Sequence, residues 1–146
     1  MSEVAVTSSI DRPRDAVWSV LAEFDAISRW APNVDHSSLT TAQTEGAGAE
    51  RRVQVGRNAL LERVVEWEPG RRLGYEITGL PPVVRSARNT WTLDDSGGAT
   101  TVTLTTQVEA GPRPPQQLIA RAIGRAMARA SRELLAGLKT QLEEKR

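Results

Sequence analysis

The C-terminal part of the chain carries a long amphipathic pattern that restricts the possible folds more than any other feature. Between residues 116 and 143, apolar side chains recur at spacings of three and four, the period of one face of an α-helix. The members of this stripe are Ile119, Ile123, Met127, Ala130, Leu134, Leu138 and Leu142. A helix of about 27 residues is roughly 40 Å long. Its apolar face therefore needs an equally long apolar surface to cover it.

The beginning of the chain predicts one strand followed by two short helices. Residues 4–10 have the period of a strand, with Val4, Val6, Ser8 and Ile10 on one face and Ala5, Thr7 and Ser9 on the other. Pro13 favours the first turn of a helix, and a second short helix is predicted from Phe24 to Trp30. Pro32 ends this second helix because the residue before a proline avoids helical backbone angles.

The middle of the chain predicts a succession of strands joined by tight turns. Segments with the length and residue types of strands are separated by glycine, proline, asparagine and aspartate, which favour turns. The predicted strands are about 34–44, 49–55, 60–67, 72–78, 84–93 and 100–108. Because each connection is short, we expect consecutive strands to pair as hairpins in a meander.

These elements predict an α+β fold: a seven-stranded, curved antiparallel sheet with two short helices after its first strand and the long C-terminal helix over its concave face. A length of 146 residues fits one domain over residues 1–146. A helix is only about 10 Å wide, so it cannot fill the concavity of a strongly bent sheet. A pocket between the helix and the sheet is therefore expected.

Several kinds of chemistry are excluded by the residues that the chain lacks. It has no cysteine and a single histidine, His36, which rules out disulfides, Cys-ligated zinc and two-histidine metal sites. Neither a Gly-x-Ser-x-Gly pattern nor a phosphate-binding glycine loop occurs. We therefore expect no metal, no cofactor and a structural role for His36.

Charge and hydropathy bear on partners and location. A net charge of +1 gives no strong signal for nucleic-acid binding. The N-terminus lacks the basic and apolar regions of a secretory signal, and no apolar run is long enough to span a membrane. A cytoplasmic location is expected.

Five local sequences, taken in order, resemble those of a known superfamily. They are residues 10–18 (IDRPRDAVW), 30–32 (WAP), 66–75 (EWEPGRRLGY), 91–93 (WTL) and 97–102 (GGATTV). Their order and spacing are similar to those of the polyketide cyclase/START-like (SRPBCC) superfamily, whose members have the helix-grip fold. The resemblance covers nearly the whole chain. It implies a small bacterial member that carries or sequesters a hydrophobic small molecule such as a lipid, an isoprenoid or a polyketide-like aromatic.

Strand alternation predicts which side chains line the pocket. Glu62, Glu66 and Glu68 share one face of their strand and are expected to face water, so the alternate residues should point inward. With the inward positions of the later strands and of the helix, the predicted ligand-binding residues are Leu61, Arg63, Val65, Trp67, Tyr75, Ile77, Asn89, Trp91, Leu104, Thr106, Ile123 and Met127. Alternatively, Arg63 reaches a sheet edge or pairs with a carboxylate, and Tyr75 turns its hydroxyl to solvent.

Two alternatives to ligand binding stay open. The resemblance also implies a cyclase, aromatase or dehydratase, in which Arg63 would stabilise an oxyanion and Tyr75 would relay a proton. The other is a toxin-like or regulatory interaction protein that acts through the basic C-terminal helix, where Arg121, Arg125 and Arg129 lie on one side. Such a pattern is typical of a solvated helix face, and contact with an anionic membrane or with RNA would use the same residues.

Overall fold

The structure is a computed structural model that describes residues 2–111 and 114–144. In chain order its elements are β1 Ser2–Ile10, α1 Arg14–Ala22, a 3₁₀ helix Phe24–Arg29, β2 His36–Leu39, β3 Glu50–Val55, β4 Asn58–Glu68, β5 Arg72–Thr78, β6 Val84–Ser96, β7 Ala99–Ala110 and α2 Pro114–Glu144. The order of elements predicted from the sequence is confirmed. Pro112 and Arg113, in the predicted break before the last helix, lie outside the described residues.

The seven strands form one curved antiparallel sheet in the order β1-β7-β6-β5-β4-β3-β2. Strands β2 to β7 follow one another as hairpins, and β1 pairs with β7 along its whole length. The predicted antiparallel meander is therefore confirmed. Strands β1 and β2 are the two edges of the sheet.

One strand is shorter than the sequence predicts, and the second short helix is confirmed with a tighter winding than an α-helix. The strand predicted over residues 34–44 shortens to β2, His36–Leu39, on which His36 is exposed. After it, the Gln43 amide donates hydrogen bonds to the carbonyl oxygens of Glu45 and Ala47, both at 2.8 Å, and holds the chain in a loop. The second short helix is 3₁₀ rather than α, a form common in pieces this short.

Helix α2 covers the inner face of the sheet on the side of β1 and β7. Leu134, Leu135, Leu138 and Leu142 are buried there. Gly137 makes this close packing possible, because a Cβ at that position would collide with the Trp30 carbonyl oxygen. The C-terminal half of α2 thus packs closely against the sheet and the Trp30 backbone.

Polar contacts hold the end of α2 to the end of β1. Lys139 Nζ donates a hydrogen bond to the Ser9 carbonyl oxygen at 2.6 Å. Glu143 accepts one from the backbone N–H of Asp11 at 2.8 Å and pairs with Lys139 at 2.9 Å. These contacts lower the pKa of the Glu143 carboxyl, first because of the Asp11 N–H and then because of Lys139.

Strand β4 contains a β-bulge that reverses which of its residues face inward. Its pairing with β5 is regular from Leu61 to Val64, skips Val65 and resumes at Glu66. A bulge places one extra residue on one strand, so the alternation changes phase at that point. Trp67 therefore faces the core, as predicted, but the inward residues before the bulge are Leu60, Glu62 and Val64.

The predicted inward orientation of Leu61, Arg63 and Val65 is therefore wrong, and all three side chains are exposed. The expectation that Glu62 faces water is also wrong, because its side chain is buried. Both errors follow from carrying one alternation through the bulge.

In the described segments, no helix combines the length and apolar character needed to cross a bilayer.

Candidate functional site

A partly open cavity of about 130 Å³ lies between α2 and strands β3 to β6. The 3₁₀ helix and the loop after it close one side, and Leu80 after β5 closes another. The lining residues are Ile27, Asn33, Val34, Val53, Val55, Leu60, Glu62, Tyr75, Ile77, Leu80, Asn89, Met127, Ala130, Ser131 and Leu134. Most of these side chains are apolar, and a few polar groups lie among them, as in many small-molecule sites.

A buried ion pair forms the polar base of the cavity. Arg51 on β3 and Glu62 on β4 are register partners, and Arg51 Nε donates a hydrogen bond to Glu62 Oε1 at 2.7 Å. Arg51 Nη2 lies 2.7 Å from the same oxygen, and Nη1 donates to the Phe24 carbonyl oxygen at 2.8 Å. Both side chains are more than nine-tenths buried, with 3% and 9% of their surface exposed. Only Glu62 of the pair lines the cavity.

Two aromatic rings enclose the guanidinium group of Arg51. Its central carbon lies 3.8 Å from the centre of the Phe24 ring and 4.8 Å from that of Tyr75. The two rings meet edge to face, with their centres 5.7 Å apart. Cation–π attraction adds to the ion pair at this depth, where water does not screen it. The arrangement holds the Glu62 carboxylate and the Tyr75 ring in fixed positions at the cavity wall.

A chain of hydrogen bonds connects α2 to the sheet beside the cavity. Thr106 Oγ1 donates to Asn89 Oδ1 at 2.7 Å, and Asn89 Nδ2 donates to the Tyr75 hydroxyl oxygen at 3.4 Å. Thr106 has only one hydroxyl proton, so in its 3.0 Å contact with Ser131 the Ser131 hydroxyl is the donor. All donors therefore point the same way, from Ser131 on α2 to Tyr75 on β5.

Tyr75 ends this chain with a proton to donate. Its oxygen accepts hydrogen bonds from Asn89 and, at 3.2 Å, from Trp91 Nε1. In the part of the chain that the structure describes, its own O–H has no acceptor. Burial is the main cause that raises the pKa of Tyr75, and the Glu62 charge raises it further. The phenol thus stays protonated and can donate a hydrogen bond to an oxygen inside the cavity.

A second polar atom at the cavity wall has no partner. Asn33 Oδ1 is buried and accepts no hydrogen bond within residues 2–111 and 114–144. Buried polar atoms are almost always paired, so an unpaired one marks a place where another molecule can supply the missing group. The cavity wall therefore includes a hydrogen-bond donor on Tyr75 and an unpaired acceptor on Asn33, in addition to the Glu62 carboxylate.

The predicted ligand-binding residues lie in four different environments of the structure. Tyr75, Ile77, Asn89 and Met127 line the cavity. Trp91, Leu104 and Thr106 are buried but do not line it, and Thr106 acts on it through Asn89. Trp67 and Ile123 are half-buried, and Trp67 packs against Trp18 with ring centres 5.1 Å apart. Leu61, Arg63 and Val65 are exposed on the outer face.

Sequence reasoning missed the charged base of the cavity and the polar residue of α2. On β3, the inward positions Arg51, Val53 and Val55 alternate, and an inward Arg predicts a buried carboxylate opposite it. That signal would have identified Glu62. Ser131 lies one turn after Met127 on the same helix face, so the helical period would have placed it at the cavity.

Solved structures of other proteins are similar to this fold. The Zhui aromatase/cyclase from Streptomyces sp. R1128 matches with a TM-score of 0.82 and 19% identity, over 99% of this chain and 94% of that chain. A START superfamily protein from Mycobacterium smegmatis matches with a TM-score of 0.75 and 12% identity, over 99% of each chain. At these identities the likeness concerns the fold alone.

A third structure, the di-domain ARO/CYC BexL from the BE-7585A biosynthetic pathway, matches with a TM-score of 0.80 and 25% identity, over 98% of this chain and 47% of that chain. No curated protein matches the sequence. A family model described as polyketide cyclase/dehydrase and lipid transport matches residues 1–143. Because this match spans almost the entire sequence, the chain belongs to the polyketide cyclase/dehydrase and lipid transport family.

Proposed function

We propose that this protein binds a small apolar molecule that carries an acceptor oxygen, such as a carbonyl, in the cavity beneath α2. The observation that supports this proposal best is the Tyr75 O–H, which is buried at the cavity wall and has no acceptor in the described residues. A ligand oxygen would complete the chain of donors that begins at Ser131. Apolar contacts with Ile77, Met127 and Leu134 would supply most of the affinity.

The size of the cavity limits the ligand. At about 130 Å³ it is close to an engineered protein cavity of about 150 Å³ that binds benzene, and smaller than common ligand pockets of roughly 300–1,000 Å³. A single substituted ring fits without rearrangement. A lipid, an isoprenoid or a polyketide-like aromatic exceeds this volume, so it would have to widen the cavity or extend out of its opening.

The geometry gives less support to a cyclase or dehydratase, although two of the similar structures are named as aromatase/cyclases. Arg63, the residue considered for oxyanion stabilisation, is exposed on the other face of the sheet. The raised pKa of Tyr75 opposes a role as a proton-abstracting base near neutral pH. It suits a hydrogen-bond donor, which is what a binding protein needs.

A pair of ligands that differ in one oxygen tests the proposal. Acetophenone and ethylbenzene have similar shapes, but only acetophenone has a carbonyl. Titration calorimetry should show acetophenone binding roughly 3- to 10-fold more tightly, the effect of about one hydrogen bond. In Tyr75→Phe this preference should disappear, whereas in Arg63→Gln it should persist. Equal affinity of the wild-type protein for both ligands would contradict the role given to Tyr75.

A second variant tests the cavity itself. Ala130 lines the cavity and Ala126, one turn earlier, is exposed. Ala130→Phe should therefore abolish binding of both ligands, and Ala126→Phe should leave it unchanged. Unaltered binding in Ala130→Phe would place the ligand elsewhere. Native mass spectrometry of the purified protein would then identify any molecule it retains.

A further inference from the structure

The first two turns of α2 extend beyond the protein body. Every side chain that the structure describes between residues 115 and 122 is exposed, including two large aliphatic ones. Leu118 is 65% exposed and Ile119 is 50% exposed. Partial burial of α2 begins only at Ile123. The expected apolar stripe is therefore uncovered at its first member, Ile119, because the helix is longer than the surface that it packs against.

The N-terminal part of α2, from the overhang onward, is also strongly basic. Residues 114–132 contain four arginines and no aspartate or glutamate, whereas the whole chain has a net charge of only +1. Arg121, Arg125 and Arg129 are exposed and take part in none of the ion pairs formed among the described residues. The positive charge on this face is thus not neutralised within residues 2–111 and 114–144.

Leu118 and the basic side chains share one face of the helix, and Ile119 lies roughly 100° further round it, toward the side of Ile123. Arg121, Arg125 and Arg129 follow Leu118 at spacings of three, seven and eleven residues, which places all four on one side. The opposite side carries Met127 of the cavity wall. A helix with apolar and basic residues together on its outer face suits the boundary between lipid headgroups and acyl chains.

We propose that the N-terminal half of α2 docks on an anionic membrane surface, with Leu118 and Ile119 inserted among the lipids and the three arginines on the phosphate groups. Charge complementarity selects this partner. A second copy of the chain would bring two basic faces together and repel. RNA is disfavoured because α2 has no aromatic side chain on which a base could stack.

Docking in this way brings the overhang to the bilayer, and the overhang is one end of an apolar stripe that continues to the cavity wall on the other side of α2. Ile119, Ile123 and Met127 follow one another at four-residue spacing, so an apolar path leads from the overhang to the cavity. A hydrophobic ligand could pass along it without crossing water. Membrane binding itself does not require an occupied cavity, so it is tested separately from the proposed function.

Co-sedimentation with vesicles tests the docking. The full chain should bind vesicles made from equal parts of phosphatidylglycerol and phosphatidylcholine, and bind vesicles of phosphatidylcholine alone much more weakly. Replacing Arg121, Arg125 and Arg129 by glutamine should lower the affinity roughly 100-fold, given the contribution of a basic residue near an anionic surface. Leu118→Ser with Ile119→Ser should lower it at least about tenfold while leaving the charge unchanged.

Matched controls come from the β3–β4 hairpin and the outer face of the sheet. Arg52, Arg57 and Arg63 are exposed, and their replacement by glutamine removes the same charge at a different surface. Leu61→Ser with Val65→Ser is the control for the aliphatic pair, since both residues are partly exposed there. Both control variants should bind vesicles like the wild-type protein.

Three results would overturn the proposal. One is equal affinity for the two kinds of vesicle, and another is an equal loss of binding in the hairpin control. The third is retention of single-stranded RNA through Arg121, Arg125 and Arg129 with no binding to anionic vesicles, which would assign the basic face to nucleic acid. Circular dichroism of each variant checks that the fold is retained, as expected for substitutions at exposed positions.

Discussion

Arg51 and Glu62 face each other across β3 and β4 as a buried ion pair, 2.7 Å apart at Nε and Oε1, directly beneath the cavity. Charges buried this deeply are costly to remove from water. Arg51 is stabilised by the Phe24 carbonyl and two aromatic rings, and Glu62 by Arg51. Each charge therefore depends on the other for its stability.

Removing one partner of this pair should destabilise the fold strongly. Glu62→Leu or Arg51→Met alone leaves an unpaired buried charge and should lower the free energy of unfolding by about 3–5 kcal/mol. The double variant leaves neither charge and should lose much less than the sum of the two. Urea unfolding of the four proteins measures the coupling. A double variant that loses the full sum would show that the two side chains act independently.

Tyr75 should resist ionisation as long as the protein is folded. The chain has one tyrosine, so the near-ultraviolet absorbance of tyrosinate reports this residue alone. Burial raises its pKa above the ordinary value of 10.0, so the absorbance of the native protein should not rise as the pH passes that value. Appearance of tyrosinate near the ordinary pKa in the native state would contradict the buried position of the hydroxyl.

The raised pKa of Tyr75 also makes the stability of the fold depend on pH. Above pH 10.0 the unfolded chain loses the Tyr75 proton while the folded chain keeps it, so unfolding becomes progressively more favourable. The contribution of Tyr75 is fully present below that pH and declines as the pH rises toward the folded-state pKa. Tyr75→Phe should lack this decline, which guanidinium unfolding at a series of alkaline pH values would detect.

Gly137→Ala should destabilise the protein, although alanine is the better helix former. In an exposed helix this change stabilises by roughly 0.5–1 kcal/mol. Here the added methyl group would collide with the Trp30 carbonyl and lie 2.6 Å from Pro32 Cδ, so we expect a loss of about 1–3 kcal/mol. The unfolding temperature of the variant, compared with that of the wild-type protein, shows whether the substitution stabilises or destabilises the fold. A stabilised Gly137→Ala variant would show that α2 is not held against the Trp30 backbone.

Glu143 should contribute to stability at neutral pH and lose its contribution in acid. Its pKa is lowered from the ordinary 4.5, first by the Asp11 N–H and then by Lys139, so the unfolded chain takes up the proton before the folded chain does. The stabilisation is therefore complete above about pH 4.5 and disappears as the pH falls through the lower folded value.

The corresponding variant is Glu143→Gln, with Glu144→Gln as the control at an exposed neighbouring position. The difference in unfolding midpoint between the wild-type protein and Glu143→Gln should be largest at neutral pH and vanish in strong acid. The control should match the wild-type protein throughout. A difference that persists unchanged in strong acid would show that the carboxylate charge is not what holds α2 to β1.

Most of the fold could be predicted from the sequence because its signals are local. The alternation in β5 and the helical period of α2 each depend on neighbouring residues, and both elements lie within a few residues of their predicted positions. Alternation within regularly paired stretches likewise predicts that the Tyr75 and Asn89 side chains face the interior, and both are buried.

The remaining features depend on contacts between distant parts of the chain. The bulge at Val65 follows from pairing with β5, and no glycine or proline in β4 marks it. The overhang of Ile119 depends on where the sheet ends relative to α2, which the helical period alone does not reveal. The hydrogen-bond chain from Ser131 to Tyr75 joins residues of four different elements, so it exists only once the sheet and the helix have come together.

The extra residue in β4 lets one strand serve two purposes that a regular strand would keep apart. Before Val65, the Glu62 side chain of β4 faces the cavity, and after Val65 the Trp67 side chain faces the core. If Val65 were deleted, the inward and outward side chains of β4 would alternate regularly along the whole strand. The protein could then retain the Arg51–Glu62 pair or the packing of Trp67 on Trp18, but not both.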